Sequence, residues 1–346
     1  MTDAKFDVLG IGNAIVDVIA KAEDDFIVRE KLIKGSMRLI ETSEAERLYG
    51  LMGQAIQASG GCAGNTAAGV ASFGGRAAFI GKVADDVLGR VYRHDMHALG
   101  IHFATLPLVG GDPTARSMIL ITPDGERTMN TYLGASQQLS PGDIDETTVA
   151  AARITYLEGY LWDPPLAKDA FRKAAAVAHA AGRQVALTLS DSFCVDRFRD
   201  EFLGLIRDGS VDVIFANGAE VHSLYQTADF DTALAQLRQD AKLAAVTVGA
   251  NGAIVVSRDA VELVPSRTVE SLVDTTGAGD LFAAGFLYAL ARDLPHAACA
   301  AFGHLAAAEV IGHVGPRPAV SLRELAEQSG LIGVRSSGVG VRVGTR

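Results

Sequence analysis

Seven short apolar runs recur along this chain: FDVLGIG (6–12), AAFIGKV (77–83), ITYLEG (154–159), VALTLS (185–190), VDVIFAN (211–217), AAVTVG (244–249) and AIVVS (253–257). Most are rich in β-branched or apolar residues. Several lead into longer stretches with helical patterning, at 61–74, 167–181, 219–240, 280–292 and 296–311. Short apolar strands alternating with helices specify a mostly parallel sheet covered on both faces. Two stretches break the rhythm. Residues 18–50 hold an acidic cluster and weakly alternating segments. Residues 105–135 contain ARSMILITPDGERTMNTYL, two strand-like arms around Pro123-Asp124-Gly125, which reads as a hairpin. Its weaker apolar character suits a sheet with one wet face, and the two stretches are expected to pair into a small β-sheet over the main body. The expected division is a large α/β domain from 1–17, 51–104 and 136–335, a β lid from 18–50 and 105–135, and a flexible tail at 336–346.

Composition narrows the function classes. The chain has 346 residues with 41 acidic against 31 basic side chains, a formal net charge of −10. That disfavours a general binder of nucleic acid or anionic membrane, though one local patch suffices for a small anion. Cys62, Cys194 and Cys299 are too few and too scattered for a disulfide framework or a zinc pattern. The N-terminal segment carries acids and runs directly into a strand, unlike a signal peptide, and no apolar stretch nears the roughly 20 residues of a membrane span. A cytoplasmic setting is the simplest expectation. His94, His97 and His102 are loosely spaced and read as surface residues rather than metal ligands.

Standard nucleotide and nucleophile signatures fail. The nearest P-loop candidate, RAAFIGKV, has Arg76 where the first glycine belongs and Val83 where the hydroxyl belongs. GIGNAI (10–15) has Ile15 in place of the third glycine of a dinucleotide fingerprint. No G-x-S-x-G elbow is present. VDTTGAGDLFAAGF (273–286) is more informative. Gly277 and Gly279 permit a tight turn with unobstructed amides, and Leu281, Phe282, Phe286, Ala289 and Leu290 mark the helix that follows as buried. A helix N-terminus with free amides is an anion site, and Asp280 sits in its first turn. Local chemistry leaves Asp280 open between a helix cap and a catalytic acid or base.

The whole pattern resembles the ribokinase-like (PfkB) carbohydrate and nucleoside kinases. VDTTGAGDLFAAGF resembles that family's C-terminal signature and GGCAGNTAAGVASFGGRAAFIGKVADDVLG (60–89) its N-terminal one. GNAIVD (12–17) resembles the substrate-binding first turn, NGAE (217–220) the N-x-x-E element and TVGANG (247–252) the nucleotide loop. The matches keep the family's order over roughly residues 6–320. The resemblance implies a three-layer α/β/α core with a mostly parallel central sheet plus a small β-sheet lid, and transfer of the γ-phosphate of ATP to a primary hydroxyl. By similarity, Asp280 is the base and the amides of Gly277, Ala278 and Gly279 form the anion hole. Asp17 would grip acceptor hydroxyls, with Asn13, Gly61 and Asn65 beside it. Asn217, Thr247, Gly249 and Gly252 would bind ATP, and Glu220 with Asn217 would organise Mg²⁺ through water. Asn217 and Glu220 also fit a capping box, and both roles can hold at once. Asp274 and Thr276 lie where many members place a monovalent cation such as K⁺, which would also need carbonyls from a segment such as GHVGPRP (312–318).

Three features of the resemblance lean toward adenosine as acceptor. GNAIVD looks like the first turn of adenosine kinases. DGERTMNTYLGAS (124–136) looks like the lid hairpin of their bacterial members, where Arg127 could reach phosphates. EGYLWDPP (158–165) places Tyr160 and Trp162 after a strand, where aromatic walls suit a purine face. Ribose, fructose or another nucleoside such as inosine stays open as acceptor. A non-catalytic nucleoside or ATP binder is the remoter alternative, against which the intact Asp280, Gly277, Gly279, Asn217 and Glu220 speak. Lid sheets pair between subunits in some members, so monomer and homodimer are both open.

Overall fold

The computed structural model describes residues 4–269 and 271–333; the expected tail at 336–346 lies outside the described residues. Thirteen strands follow in chain order: β1 Phe6–Ile11, β2 Ile15–Lys21, β3 Met37–Leu39, β4 Ala55–Ser59, β5 Ala77–Ile80, β6 Ala115–Ile121, β7 Arg127–Tyr132, β8 Ala152–Glu158, β9 Gln184–Thr188, β10 Val213–Asn217, β11 Leu243–Thr247, β12 Ala253–Ser257 and β13 Val261–Val264. Eight form one sheet in the order β13-β12-β11-β10-β9-β8-β1-β5, parallel except for β12, which runs antiparallel to both of its neighbours. All seven apolar runs are strands of this sheet.

Side-chain alternation along these strands feeds two separate cores. Val8 of β1 and Val213 and Phe215 of β10 pack with the helices Cys62–Ser72, Ala278–Leu290 and His296–Val310. Leu9, Ile11, Ile214 and Ala216 face the opposite way, toward the helices Pro165–Ala180, Ser192–Arg207 and Phe230–Asp240. The result is the expected α/β/α sandwich. One helical stretch divides: 219–240 breaks into Gly218–Tyr225 and Phe230–Asp240, with Gln226 in the left-handed region (φ 49°) and Asp229 capping the second helix. Exposed β13 carries too little apolar signal to stand out in the sequence.

The other five strands form a second sheet in the order β3-β7-β6-β2-β4. The β6–β7 hairpin turns at Pro123-Asp124-Gly125, where Gly125 has φ +86° and Thr122 Oγ1 donates to Asp124 (2.7 Å). This sheet draws more of the chain than the 18–50 and 105–135 segments. It begins at Ile15 and takes in Ala55–Ser59, because Val16 to Ala20 pair antiparallel with 55–59 and parallel with 116–120. Val16 and Val18 turn toward the core side with Ile27, Ala45 and Leu48, which leaves Ile15 and Asp17 on the opposite, cleft-facing side. The chain thus passes between sheets at Gly12–Ala14 and again at Gly60–Gly61. Gly61 has φ +82°, and a Cβ there would lie 2.1 Å from the Asn13 carbonyl oxygen.

The Ala278–Leu290 and His296–Val310 helices press together backbone to backbone. A Cβ on Gly285 would stand 2.3 Å from the Phe302 carbonyl oxygen. Gly285→Val is therefore expected to destabilise the chain by about 3 kcal/mol or more, since the neighbour is main chain and cannot yield as a side chain would. Chemical denaturation checks this; an unchanged midpoint would contradict the packing.

Candidate active site

Between the two sheets lies a cleft of about 810 Å³. Its floor is the start of the Ala278–Leu290 helix, which is almost wholly apolar and buried beyond its first turn. Gly277 precedes it in the left-handed region (φ +79°), and a Cβ there would lie 2.7 Å from Pro316 Cα. Only glycine meets both conditions. Gly279 lines the cleft, and a Cβ there would meet nothing within 4 Å. Of the three amides expected at the anion hole, Ala278 N–H is donated to the Thr275 carbonyl (3.2 Å), whereas those of Gly277 and Gly279 have no partner among the described residues.

The Asp280 carboxylate stands on the same turn. Asn65 Nδ2 donates to its Oδ2 (2.9 Å), and Thr66 Oγ1 donates to its main-chain oxygen (3.1 Å), so the Cys62–Ser72 helix fixes it from the side. Burial pushes the Asp280 carboxyl up to about 6, against the downward pull of Asn65 and the Cys62 thiol. Its carboxylate is thereby a better proton acceptor than that of an exposed aspartate.

Opposite it, Asp17 lies on β2 with the Gly60 backbone close against it. Burial pushes Asp17 up to about 7, while Arg317 and Arg127 pull it down. Glu158, at the end of β8, is also raised to about 7 by burial. It accepts from Ala63 N (2.9 Å) and from Asn13 Nδ2 (2.7 Å). Asn13 is saturated further: its Oδ1 accepts from Ser136 Oγ (2.9 Å) and Gln137 Nε2 (3.4 Å). Sequence reasoning passed over Glu158 and Arg317. The signal for Glu158 was a lone acid closing the apolar run ITYLEG; for Arg317 it was the one cation in GHVGPRP.

Other expected residues divide between wall and frame. Asn65, Gly61, Tyr160 and Thr276 line the cleft, and the Phe193 ring joins Tyr160, 77% exposed at the rim. Trp162 does not: it is 1% exposed, packs on Phe171 and Phe202 and donates to Glu201 (3.1 Å). It turns inward because the Gly159–Trp162 turn points successive side chains in different directions. Arg127 is not a wall residue either. Its guanidinium meets the Asp274 carboxylate at 2.7 Å, both side chains being 8% exposed. Asp274 also accepts from Thr276 N (3.0 Å) and Gly315 N (3.1 Å). A monovalent cation there would compete with Arg127 for the same carboxylate.

Elsewhere on the cleft wall, Asn217 and Glu220 form a reciprocal capping box at the start of the Gly218–Tyr225 helix. Burial raises Glu220 to about 7 although it accepts from Asn217 N (3.1 Å). Thr247 lines the cleft beside them. Gly249 (φ +61°) and Gly252 (φ +112°) shape the turn after β11, where a Cβ on Gly252 would strike the Val264 carbonyl oxygen at 2.1 Å. Among the described residues, no three His, Cys, Asp or Glu side chains gather as a metal cage. A divalent ion would thus take most of its oxygens from a ligand and water, the usual arrangement for Mg²⁺ on phosphates. No helix among the described residues is long and apolar enough to cross a membrane.

Comparison with known proteins agrees with this geometry. Residues 32–322 match the pfkB family of carbohydrate kinases. The crystal structure of an adenosine kinase from Sinorhizobium meliloti is 57% identical and superposes with a TM-score of 0.88, covering 94% of this chain and all of that one. A probable sugar kinase from Rhizobium etli is 52% identical with a TM-score of 0.89, covering 95% and 100%. An ATP-dependent ribose-1-phosphate kinase from Halopiger xanaduensis is 30% identical over 67% of this chain and 73% of its own length.

The raised carboxyls have a consequence for stability. Asp280 binds its proton more tightly folded (about 6) than at its ordinary 3.8. Stability on its account therefore falls as pH rises through that window, and the full penalty is present above about 6. Asp280→Asn is expected to raise the melting temperature by roughly 2–4 °C at pH 8, with the gain shrinking toward pH 4.5. A gain that is the same at both pH values would contradict the burial of this charge.

Proposed function

The chain belongs to the pfkB carbohydrate kinase family, which makes it a phosphotransferase acting on an alcohol group, and from that premise we propose that its acceptor is the 5′-hydroxyl of adenosine. ATP is the phosphate donor expected of the family. The observation that carries the choice of acceptor is the cleft's two-sided chemistry. Asp17 supplies a hydroxyl acceptor near Asp280. Ile15, Ile119, Met129 and Leu39 give the lid side an apolar surface, and Tyr160 and Phe193 stand on the other wall. A nucleoside matches both: ribose hydroxyls for the acid and a flat base for the apolar and aromatic walls. A free hexose or pentose, with hydroxyls all round its ring, would leave those walls against polar groups. The 57% identity to an adenosine kinase supports the same reading; the 52% identity to a probable sugar kinase keeps ribose or fructose as the second one.

In the proposed reaction, Asp280 takes the proton of the acceptor hydroxyl as its oxygen attacks the γ-phosphorus. The bond from that phosphorus to the β,γ-bridging oxygen breaks, and ADP leaves. The Gly277 and Gly279 amides and the positive end of the helix stabilise charge on the phosphoryl group in transit. Thr247, Gly249 and Gly252 form the nucleotide side. Asn217 and Glu220 would hold the water shell of Mg²⁺, whose contribution is to neutralise phosphate charge. Arg127, held by Asp274, brings a fixed cation from the lid hairpin to the anion-hole loop. A K⁺ ion at Asp274 and Thr276 belongs to the reading only if Arg127 withdraws.

An ADP-release assay with Mg-ATP across adenosine, inosine, guanosine, ribose and fructose is expected to give adenosine the highest kcat/KM; ribose or fructose far ahead would overturn the acceptor assignment. Asp280→Asn is expected to lower kcat by roughly 10²–10⁴-fold or more with adenosine affinity nearly unchanged. Asp17→Ala should act mainly through the acceptor KM, and an unchanged KM would remove Asp17 from the acceptor site.

A further inference from the structure

One buried cation is linked to the Asp280 carboxylate through a single intervening side chain, Asn65. Arg317 follows the His296–Val310 helix, in a stretch locked to the anion hole. Gly315 N donates to Asp274, and Pro316 packs on Gly277. The Arg317 guanidinium turns inward between the sheets. NH1 donates to Ser59 Oγ (2.6 Å), Nε donates to Asn65 Oδ1 (3.3 Å), and NH2 lies 3.8 Å from Met96 Sδ. The other end of the Asn65 amide donates to Asp280.

Asn65 therefore stands between a cation and an anion. An amide in that position has one favourable orientation, carbonyl toward the guanidinium and NH₂ toward the carboxylate. Turned over, it would set two donors against each other and two acceptors against each other. Without Arg317 the turned-over amide would lose half of that penalty, and Asp280 would lose its assured donor.

We infer that Arg317 is a positioning residue for phosphoryl transfer: it fixes the Asn65 amide so that Nδ2 donates to Asp280, and it sets a positive charge beside Asp17. The inference rests on the assignment of Asp280 as the base. The groups that bear on it come from every surrounding element. Arg317 feels Asp17 from β2, and Tyr92 and Asp95 from the Val87–Ala98 helix. Asp280 meets Asn65 and Cys62 from the Cys62–Ser72 helix, and its charge is felt by Asp17, by Glu158 and by Tyr156 of β8. Asn65 lowers the proton affinity of Asp280. Loss of its orientation raises that affinity, so the acid limb of the kcat profile moves to higher pH.

The test is a pH–kcat series on Arg317→Met, Arg317→Lys, Asn65→Ala and the double variant Arg317→Met/Asn65→Ala, with thermal melts of each. Arg317→Met is expected to lower kcat roughly 10–100-fold, the size of one lost hydrogen bond to a charged group, and to move the acid limb up by about half a pH unit or more. Arg317→Lys recovers part of kcat, because an ammonium reaches one partner but cannot bridge Ser59 and Asn65 together. Asn65→Ala moves the limb in the same direction, and the double variant moves it no further. A folded Arg317→Met with the wild-type limb, or additive shifts in the double variant, would overturn the inference. If Arg317→Met does not fold, Arg317→Lys on the Asn65→Ala background decides: no further shift is expected, and an additional one overturns it. Retained turnover in Asp280→Asn would instead defeat the assignment of the base. An inactive Asp280→Asn beside an unmoved Arg317→Met would defeat the role of Arg317 alone.

Discussion

The Asp274 carboxylate holds three parts of this molecule in one place. It takes the Arg127 guanidinium from the lid hairpin at 2.7 Å, the Thr276 amide from its own turn and the Gly315 amide from the C-terminal segment. Two backbone hydrogen bonds and an ion pair thus converge on one buried carboxylate. Because of it, the turn before the Ala278–Leu290 helix has fixed neighbours on both sides, and Gly277 can press against Pro316 without a side chain between them. The direction of the helix's free amides follows from that junction, and the position of Asp280 follows from the amides.

Around this turn the fold gathers charge that it would be more stable without. Asp17, Glu158, Asp280 and Glu220 all have carboxyls raised by burial to about 6 or 7. A cleft that keeps four acids this far out of water is poised to give up stability for chemistry. Their surroundings divide the tasks. Asn65 and the helix start hold Asp280 near the open amides. Arg317 and Arg127 offset Asp17. Glu158 is tied to Asn13 and Ala63, joining the first strand crossing to the Cys62–Ser72 helix. Glu220 is tied to Asn217 in its own helix cap.

Much of this was legible in the sequence, and what was missed shares one cause. The seven strands, the Pro123-Asp124-Gly125 hairpin and the Asp280 turn are signals carried within a few consecutive residues. Glu158 and Arg317 owe their importance to partners far away in sequence: Glu158 is 145 residues from Asn13, and Arg317 is 252 from Asn65. No local pattern encodes such a pairing. Trp162 was misjudged as a wall because its neighbour Tyr160 is one; two residues along a tight turn reverse the direction of a side chain. The lid's extent was underestimated because Ala55–Ser59 reads as a weak strand until it pairs with β2.

Phosphorus NMR of the product bears most directly on the claim that this cleft brings a nucleoside 5′-hydroxyl to Asp280 and the γ-phosphate to the neighbouring amides. With Mg-ATP and adenosine, the account predicts one new monophosphate resonance, split by the two H5′ protons and equal in amount to the ADP formed. A phosphate coupled to a 2′ or 3′ proton, or ADP formed without any nucleoside monophosphate, would contradict it.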